Sequence, residues 1–156
     1  MTRRRATITA KVTAQLRNRQ RRDLVPLAWL TRLAGCAIGH LNIRQPGALA
    51  ITFIASQTMR QLNHRFTRHS GLTDVLSFHY PQEPIPPLAG QVVGEILIAP
   101  AAARRYAKQH QLAYRDELAR YVIHGLLHWM GHEDATPAQQ RTMRAMEDRL
   151  LACCAS

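Results

Sequence analysis

The run HGLLHWMGHED, residues 124 to 134, places three histidines and two carboxylates within eleven positions. His124 and His128 are four apart in a strongly helical context, so both imidazoles project from one helix face, one turn apart, and can close on a single ion. In a zincin helix the residue after the first histidine is the catalytic glutamate. Here that residue is Gly125, so peptide hydrolysis loses its general base. Gly131 suits a left-handed helix end, which turns the chain back and offers His132, Glu133 and Asp134 as further ligands. A lone histidine on an amphipathic helix is ordinarily a hydrogen-bonded core or rim residue. Two at this spacing, followed by a helix-ending glycine and a third candidate, argue for a metal centre. Three protein ligands on zinc leave a fourth position open for water, whose pKa falls toward neutrality.

Positioning such a centre requires a folded scaffold, and 156 residues suffice for one, a single domain over 1–156. Hydrophobic residues at 46% and charged residues at 20% have the globular balance. The formal net charge is +11, from 21 Lys+Arg against 10 Asp+Glu, and the basic residues are overwhelmingly arginine. That excess favours phosphate-rich partners, nucleic acid first. Cys36, Cys153 and Cys154 form no CxxC pair and read as reduced thiols of an intracellular chain. The basic start MTRRRATITAKV has no apolar core of a secretory signal, and no stretch reaches the roughly 18 apolar residues of a membrane span. A soluble, cytoplasmic protein with no membrane association is expected.

Hydrophobic patterning predicts an α/β (α+β) fold, a small mixed sheet of about four strands carrying helices. Thr7–Val12 alternates weakly, as an edge strand would, and a first helix holds Leu27, Leu30 and Leu33 and ends near Gly35 or Gly39. Leu49–Ala55 reads as a buried strand, with Ser56 capping the helix that carries Met59, Leu62, Asn63 and Phe66. Val75–Tyr80 and Gly94–Ala99 read as strands, and the proline-rich connection between them, too short for a helical crossover, reads as a loop that either joins them antiparallel or leads out along the surface. From Pro100 the chain turns helical, and the stripe Leu118, Tyr121, Val122, Gly125 and Leu126 marks the central, metal-binding helix. Thr136, Pro137 and Gln139 supply an N-cap, a first-turn proline and a capping-box partner for a last helix with Met143, Met146, Leu150 and Leu151 inside.

HGLLHWMGHED resembles the signature HGxLHLxGxDH of the YbeY-type endoribonucleases, bacterial enzymes of ribosomal RNA maturation. LNHRFTRHSGLTDVLSF, residues 62 to 78, is similar to the family's LN…TDVLSF segment, GEILIA to its G-D/E-I-x-I strand, and ATPAQQRTMRAMEDRLL to its last helix. The resemblance covers roughly residues 49 to 151. It implies one Zn²⁺ per chain held by His124, His128 and Asp134. Asp134 stands where the family signature places its third histidine, and aspartate is a competent zinc ligand. His132, where an aromatic residue is usual, is the rival third ligand. Glu133 is expected to orient a ligand or cap a turn. Where the family carries an arginine in the LN segment this chain has Thr67, so Arg68, with Arg65 beside it, becomes the candidate catalytic phosphate group, acting with His124.

The activity implied is zinc-dependent, single-strand-specific RNA cleavage, in 16S rRNA 3′-end processing and ribosome quality control, with ribosomal RNA precursor and the ribosome or its associated proteins as partners. Thr73, Asp74 and Ser77 either line the cleft or shape the turn before a core strand, and Asn63 either binds backbone or caps its helix. Arg104, Arg105, Arg21 and Arg22 are candidate phosphate contacts. Sparse aromatics, 6%, argue against an extended base-stacking platform. The alternatives are a basic RNA-binding ribosome assembly factor with a structural metal, and a metal-dependent hydrolase of another substrate.

Overall fold

The structure is a computed structural model that describes residues 11–67, 74–80 and 90–156. Four strands, β1 (Thr13–Asn18), β2 (Ala48–Phe53), β3 (Val75–His79) and β4 (Val92–Ile98), form one sheet in the order β1-β2-β4-β3. β1 and β4 lie parallel to β2 on either side, and β3 runs antiparallel to β4 at the far edge. The mixed sheet is as the sequence predicts, and the β3–β4 pair takes the antiparallel arrangement, one of the two that the sequence leaves open. The proline-rich connection itself, residues 81–89, lies outside the described residues.

The first strand falls one step later than the alternation in Thr7–Val12 suggests. Residues 7–10 lie outside the described residues, Lys11 and Val12 precede the strand, and Thr13–Asn18 pairs with β2. Ala14 and Leu16 turn one half-buried face to the core while Thr13, Gln15 and Arg17 stay exposed. An edge strand needs no more apolar surface than this, so its arginine conceals it. Helix α1 (Leu27–His40) passes both Gly35 and Gly39, neither of which has positive φ, and the chain reverses at Asn42, φ 54°. Helix α2 (Ser56–Thr67) begins at Ser56 itself. The Ser56 hydroxyl is buried without a hydrogen-bond partner, so it does not cap the helix as predicted.

Helices α3 (Pro100–Gln109), α4 (Tyr114–Trp129) and α5 (Pro137–Cys154) complete the architecture. The core is one cluster in which α4 is central: Leu118, Val122, Ile123, Leu126 and Leu127 are fully buried beside Ile51, Phe53, Ile96 and Ile98 of the sheet. Helix α5 carries the predicted capping box in full, Gln139 N donating to Thr136 Oγ1 at 3.1 Å and Thr136 N donating to Gln139 Oε1 at 3.0 Å. Its buried face includes Met143 and Leu150, with Met146 and Leu151 partly covered.

The cysteines depart from expectation. The last turn of α5 lies against α1, bringing the Cys36 and Cys154 Cα atoms to 5.6 Å, within disulfide range, and the two are bonded. Cys153 is free and exposed. A separation of 118 residues hides this pair from any reading of spacing.

At Gly125 the central helix packs closely against the sheet. A Cβ there would stand 2.5 Å from Ile96 Cγ2 and 3.1 Å from Val75 Cγ1. Gly125→Ala is therefore expected to destabilise the chain. Overpacking of this kind costs about 1–3 kcal/mol, which outweighs the ~1 kcal/mol gained in helix propensity. A urea-unfolding midpoint at or above the native value would show that no such crowding exists.

Candidate metal centre

Helix α4 delivers two imidazoles and then stops in a way that returns a carboxylate to them. Its end is a Schellman motif: Gly131 N donates to His128 O at 2.9 Å, and His132 N donates to Leu127 O at 3.0 Å. Gly131 takes φ +98°, the left-handed conformation that glycine adopts without penalty. The short return ends at the Thr136 capping box. Asp134, pinned between these two motifs, reaches back over the helix face.

The result is a triangle of ligand atoms. His124 Nε2 and His128 Nε2 are 3.0 Å apart, and Asp134 Oδ2 lies 3.5 Å from the first and 3.4 Å from the second. Tetrahedral ligands at zinc distances of about 2.0–2.1 Å stand roughly 3.3 Å from one another, so the three edges suit such an ion. All three residues are half-buried, which leaves one side of the triangle open to the cleft. His132 stays outside. It lines neighbouring hollows with Glu133 and Gly131, whereas His124, His128 and Asp134 are the group whose ligand atoms lie close enough to hold one ion. Glu133 is exposed and accepts from Gln139 Nε2 at 3.5 Å, next to the start of α5. It supports the turn and leaves ligand orientation to another carboxylate.

That carboxylate is Glu147 on α5. His124 Nδ1 lies 2.6 Å from Glu147 Oε1. Ionised carboxylate oxygens only accept, so Nδ1 carries the proton and Nε2 presents its lone pair to the triangle. Arg120, one turn before His124, donates to Glu147 Oε2 at 3.0 Å and pairs with Asp148 at 2.8 Å. Burial pushes the Glu147 carboxyl upward, but the hydrogen bonds and charges of His124 and Arg120 outweigh it and hold the group below its ordinary value. Neither Glu147 nor Arg120 was singled out from the sequence. The available signal was a carboxylate among Met143, Met146 and Leu150 on the inner face of a helix. A charge at such a position demands a partner.

The triangle opens into a cleft of about 520 Å³ whose walls include Asp74, Tyr106, Glu117, Tyr121 and Arg144. Tyr121 donates its hydroxyl to Asp74 Oδ2 at 3.1 Å, and burial, then the Asp74 charge, raise the phenol above its ordinary value. Burial likewise raises Glu117, against the pull of Arg120 and Arg144. Ser77 donates to Gly125 O at 2.9 Å, tying β3 to α4 between the two histidines. Thus Asp74 lines the cleft while Ser77 braces the helix. Thr73 and Arg68 lie outside the described residues. Asn63 is buried in α2. Among the candidate phosphate contacts, Arg21, Arg22, Arg65 and Arg105 are exposed. Arg104 is instead committed to an ion pair with buried Asp23 and to the Tyr114 ring, 4.2 Å from its guanidinium carbon.

Comparison with known proteins gives this geometry its context. The family model for Endoribonuclease YbeY matches residues 15–155. The chain belongs to that family. It is accordingly an RNA-cleaving enzyme. Proteins named Endoribonuclease YbeY from Myxococcus xanthus and Cutibacterium acnes are each 32% identical, over 140 and 128 residues. These alignments cover 90% and 79% of this chain and 47% and 82% of the relatives, so the chain spans about half the length of the Myxococcus protein. A third, from Salinibacter ruber, is 35% identical over 106 residues, 66% of this chain and 68% of that one. The solution structure of TM1509 from Thermotoga maritima shares the fold, with TM-score 0.56 and 19% identity over 90% of this chain and 89% of that one. Among the described residues, no helix is long and apolar enough to cross a membrane.

The Glu147 contact yields a direct test. Glu147→Gln keeps an acceptor for His124 Nδ1–H but removes the charge that orders it. Metal affinity, read by competition with a chromophoric chelator, is expected to fall about 10–100-fold, as it does when such a partner is lost elsewhere. Unchanged affinity would mean that Glu147 serves packing alone.

Proposed function

We propose that the chain is a zinc-dependent, single-strand-specific endoribonuclease of ribosomal RNA maturation, acting at the 16S rRNA 3′ end and in ribosome quality control. The reading places it in the cytoplasm, in contact with ribosomal RNA precursor and with the ribosome or its associated proteins. The supporting observation is the triangle of His124, His128 and Asp134, with edges of 3.0–3.5 Å, at the bottom of an open cleft. A cleft of about 520 Å³ has the size of a small-ligand site and suits a stretch of single strand better than a duplex. Family membership supports RNA as substrate.

In this reading His124, His128 and Asp134 hold one zinc per chain. Zinc so bound supplies Lewis acidity toward a phosphodiester oxygen and acidifies water toward neutrality. The chain's own residues do the rest. Glu147 keeps the proton on His124 Nδ1, so that Nε2 remains a donor to the metal. Tyr121 and Asp74 form one wall of the cleft through their shared hydrogen bond. Arg144 is exposed and lines the cleft; its ion pairs to Glu147 and Asp148 are long, 3.9 Å each, and in this reading a phosphate competes for its guanidinium. Arg68, which follows α2 in the sequence and lies outside the described residues, is assigned the stabilisation of charge on the phosphoryl oxygens. Gly125 supports RNA over peptide as substrate, because a zincin glutamate has no room there.

Metal content and cleavage of a single-stranded RNA, measured together, test the ligand set. His124→Ala and Asp134→Asn are expected to lose zinc and cleavage while retaining RNA binding, and His132→Ala to keep all three. Zinc retained by Asp134→Asn and lost by His132→Ala would reverse the assignment of the third ligand. RNA binding with no cleavage by the zinc-loaded native chain would instead favour an assembly factor with a structural metal.

Arg68→Ala is expected to slow turnover with zinc content unchanged. Cleavage at the native rate would remove Arg68 from the reaction.

A further inference from the structure

A second group of metal-binding side chains lies where α1 and α5 meet, separate from the cleft. Cys36 and His40 are four apart on α1, the same one-turn step that pairs His124 with His128, and Cys154 is the last residue of α5. Their ligand atoms lie within 4.8 Å of one another. A disulfide between Cys36 and Cys154 accounts for two of these residues and gives no role to the imidazole beside them. Both helices also end here: His40 closes α1 and Cys154 closes α5. Two helix C-termini meeting here present the negative ends of two dipoles, a setting that favours a cation. Helix α5 has no basic residue in its last turn, and α1 has only His40. No arginine or lysine of these turns therefore occupies the position.

We propose that Cys36, His40 and Cys154 form a second metal site, for a thiophilic divalent cation of the zinc type, in the reduced chain. The Cys36–Cys154 disulfide is its oxidised, metal-free form. A dithiol reductant opens the disulfide by exchange, giving two protein thiols and the cyclic disulfide of the reductant. The cation then displaces one proton from each thiol and binds two thiolates and the neutral imidazole, leaving one position for water. Two thiolates make this site softer than the His124–His128–Asp134 triangle, which contains no sulfur. In either form α5 is tied to α1, seven residues beyond Glu147.

Cobalt(II) separates the two sites, because only thiolate ligands give a sulfur-to-cobalt charge-transfer absorption. The His124→Ala chain is reduced with a dithiol, freed of it without oxygen, checked by thiol titration and titrated with cobalt(II). It is expected to show the charge-transfer band, lost in added Cys36→Ser or Cys154→Ser and retained in added Cys153→Ser. Added His40→Ala should weaken cobalt binding by more than the roughly 10–100-fold typical of an outer partner. No band in fully reduced chain would overturn the site, as would a band that depends on Cys153 in place of Cys154. Cobalt affinity unchanged by His40→Ala would remove the imidazole from the ligand set and reduce the cluster to a disulfide. Circular dichroism of each variant confirms that the fold persists, so loss of the band reports ligation.

Discussion

The close approach of α4 to the sheet at Gly125 governs the rest of the structure. Gly125 presses on Ile96 and Val75, and His124 and His128, roughly 100° and 60° around the helix from it, lie together on the flank beside that contact, where they face the cleft. The bond from Ser77 to the Gly125 carbonyl fixes the helix along its axis at the same level. The sheet thus sets both how far the helix stands off and how it is rotated. The fully buried Leu118, Val122 and Leu126 enforce that rotation with apolar area, so the imidazoles are aimed by the core.

Aim alone does not produce a centre that binds one ion, since an imidazole can rotate about its own bonds and exchange tautomers. Glu147 addresses both, at the cost of burying a carboxylate. Replacing its hydration requires charge-assisted partners, and His124 Nδ1 and Arg120 supply them. The interaction also welds α5 to α4, so the orienting group and the return segment belong to one continuous unit. That segment is short and constrained at both ends, by the Schellman turn at Gly131 and the capping box at Thr136. Asp134 is held by backbone hydrogen bonds outside the cleft and needs no further partner of its own.

Local pattern made much of this legible. The four-residue histidine spacing, the glycine stop and the Thr-Pro-x-Gln start of α5 each have a short-range physical cause, and each appears where the sequence predicts. What remained hidden depends on tertiary contact. β1 was obscured because an edge strand tolerates arginine, and Ser56 sits inside its helix because Ala55 takes the capping position. Cys36 and Cys154 meet only through the packing of α1 against α5. Glu147 was passed over because helical periodicity marks apolar positions as inner and treats a charge as outer by default. Asp134 and His132 stand only two residues apart in sequence, and it is the course of the chain after the left-handed turn that sets Asp134 beside His124 and His128.

Charge in the cleft runs opposite to charge in the chain. The protein carries +11 overall, yet its described cleft lining sets Asp74, Glu117, Asp134 and Glu147 against Arg120 and Arg144. Arg120 is itself consumed by Glu147 and Asp148. With neutral imidazoles the bare cleft is locally anionic and would repel a phosphodiester at short range. The basic envelope can raise the concentration of RNA near the surface, because that attraction acts over roughly a Debye length of 8–10 Å. Seating a phosphate against four carboxylates needs a compensating positive charge within the cleft itself. In the proposed function a divalent ion on the triangle would provide it where the acids converge. On the proposed function the acidic floor and the basic exterior are complementary: the floor would select a cation, and the cation together with the exterior would select the polyanion.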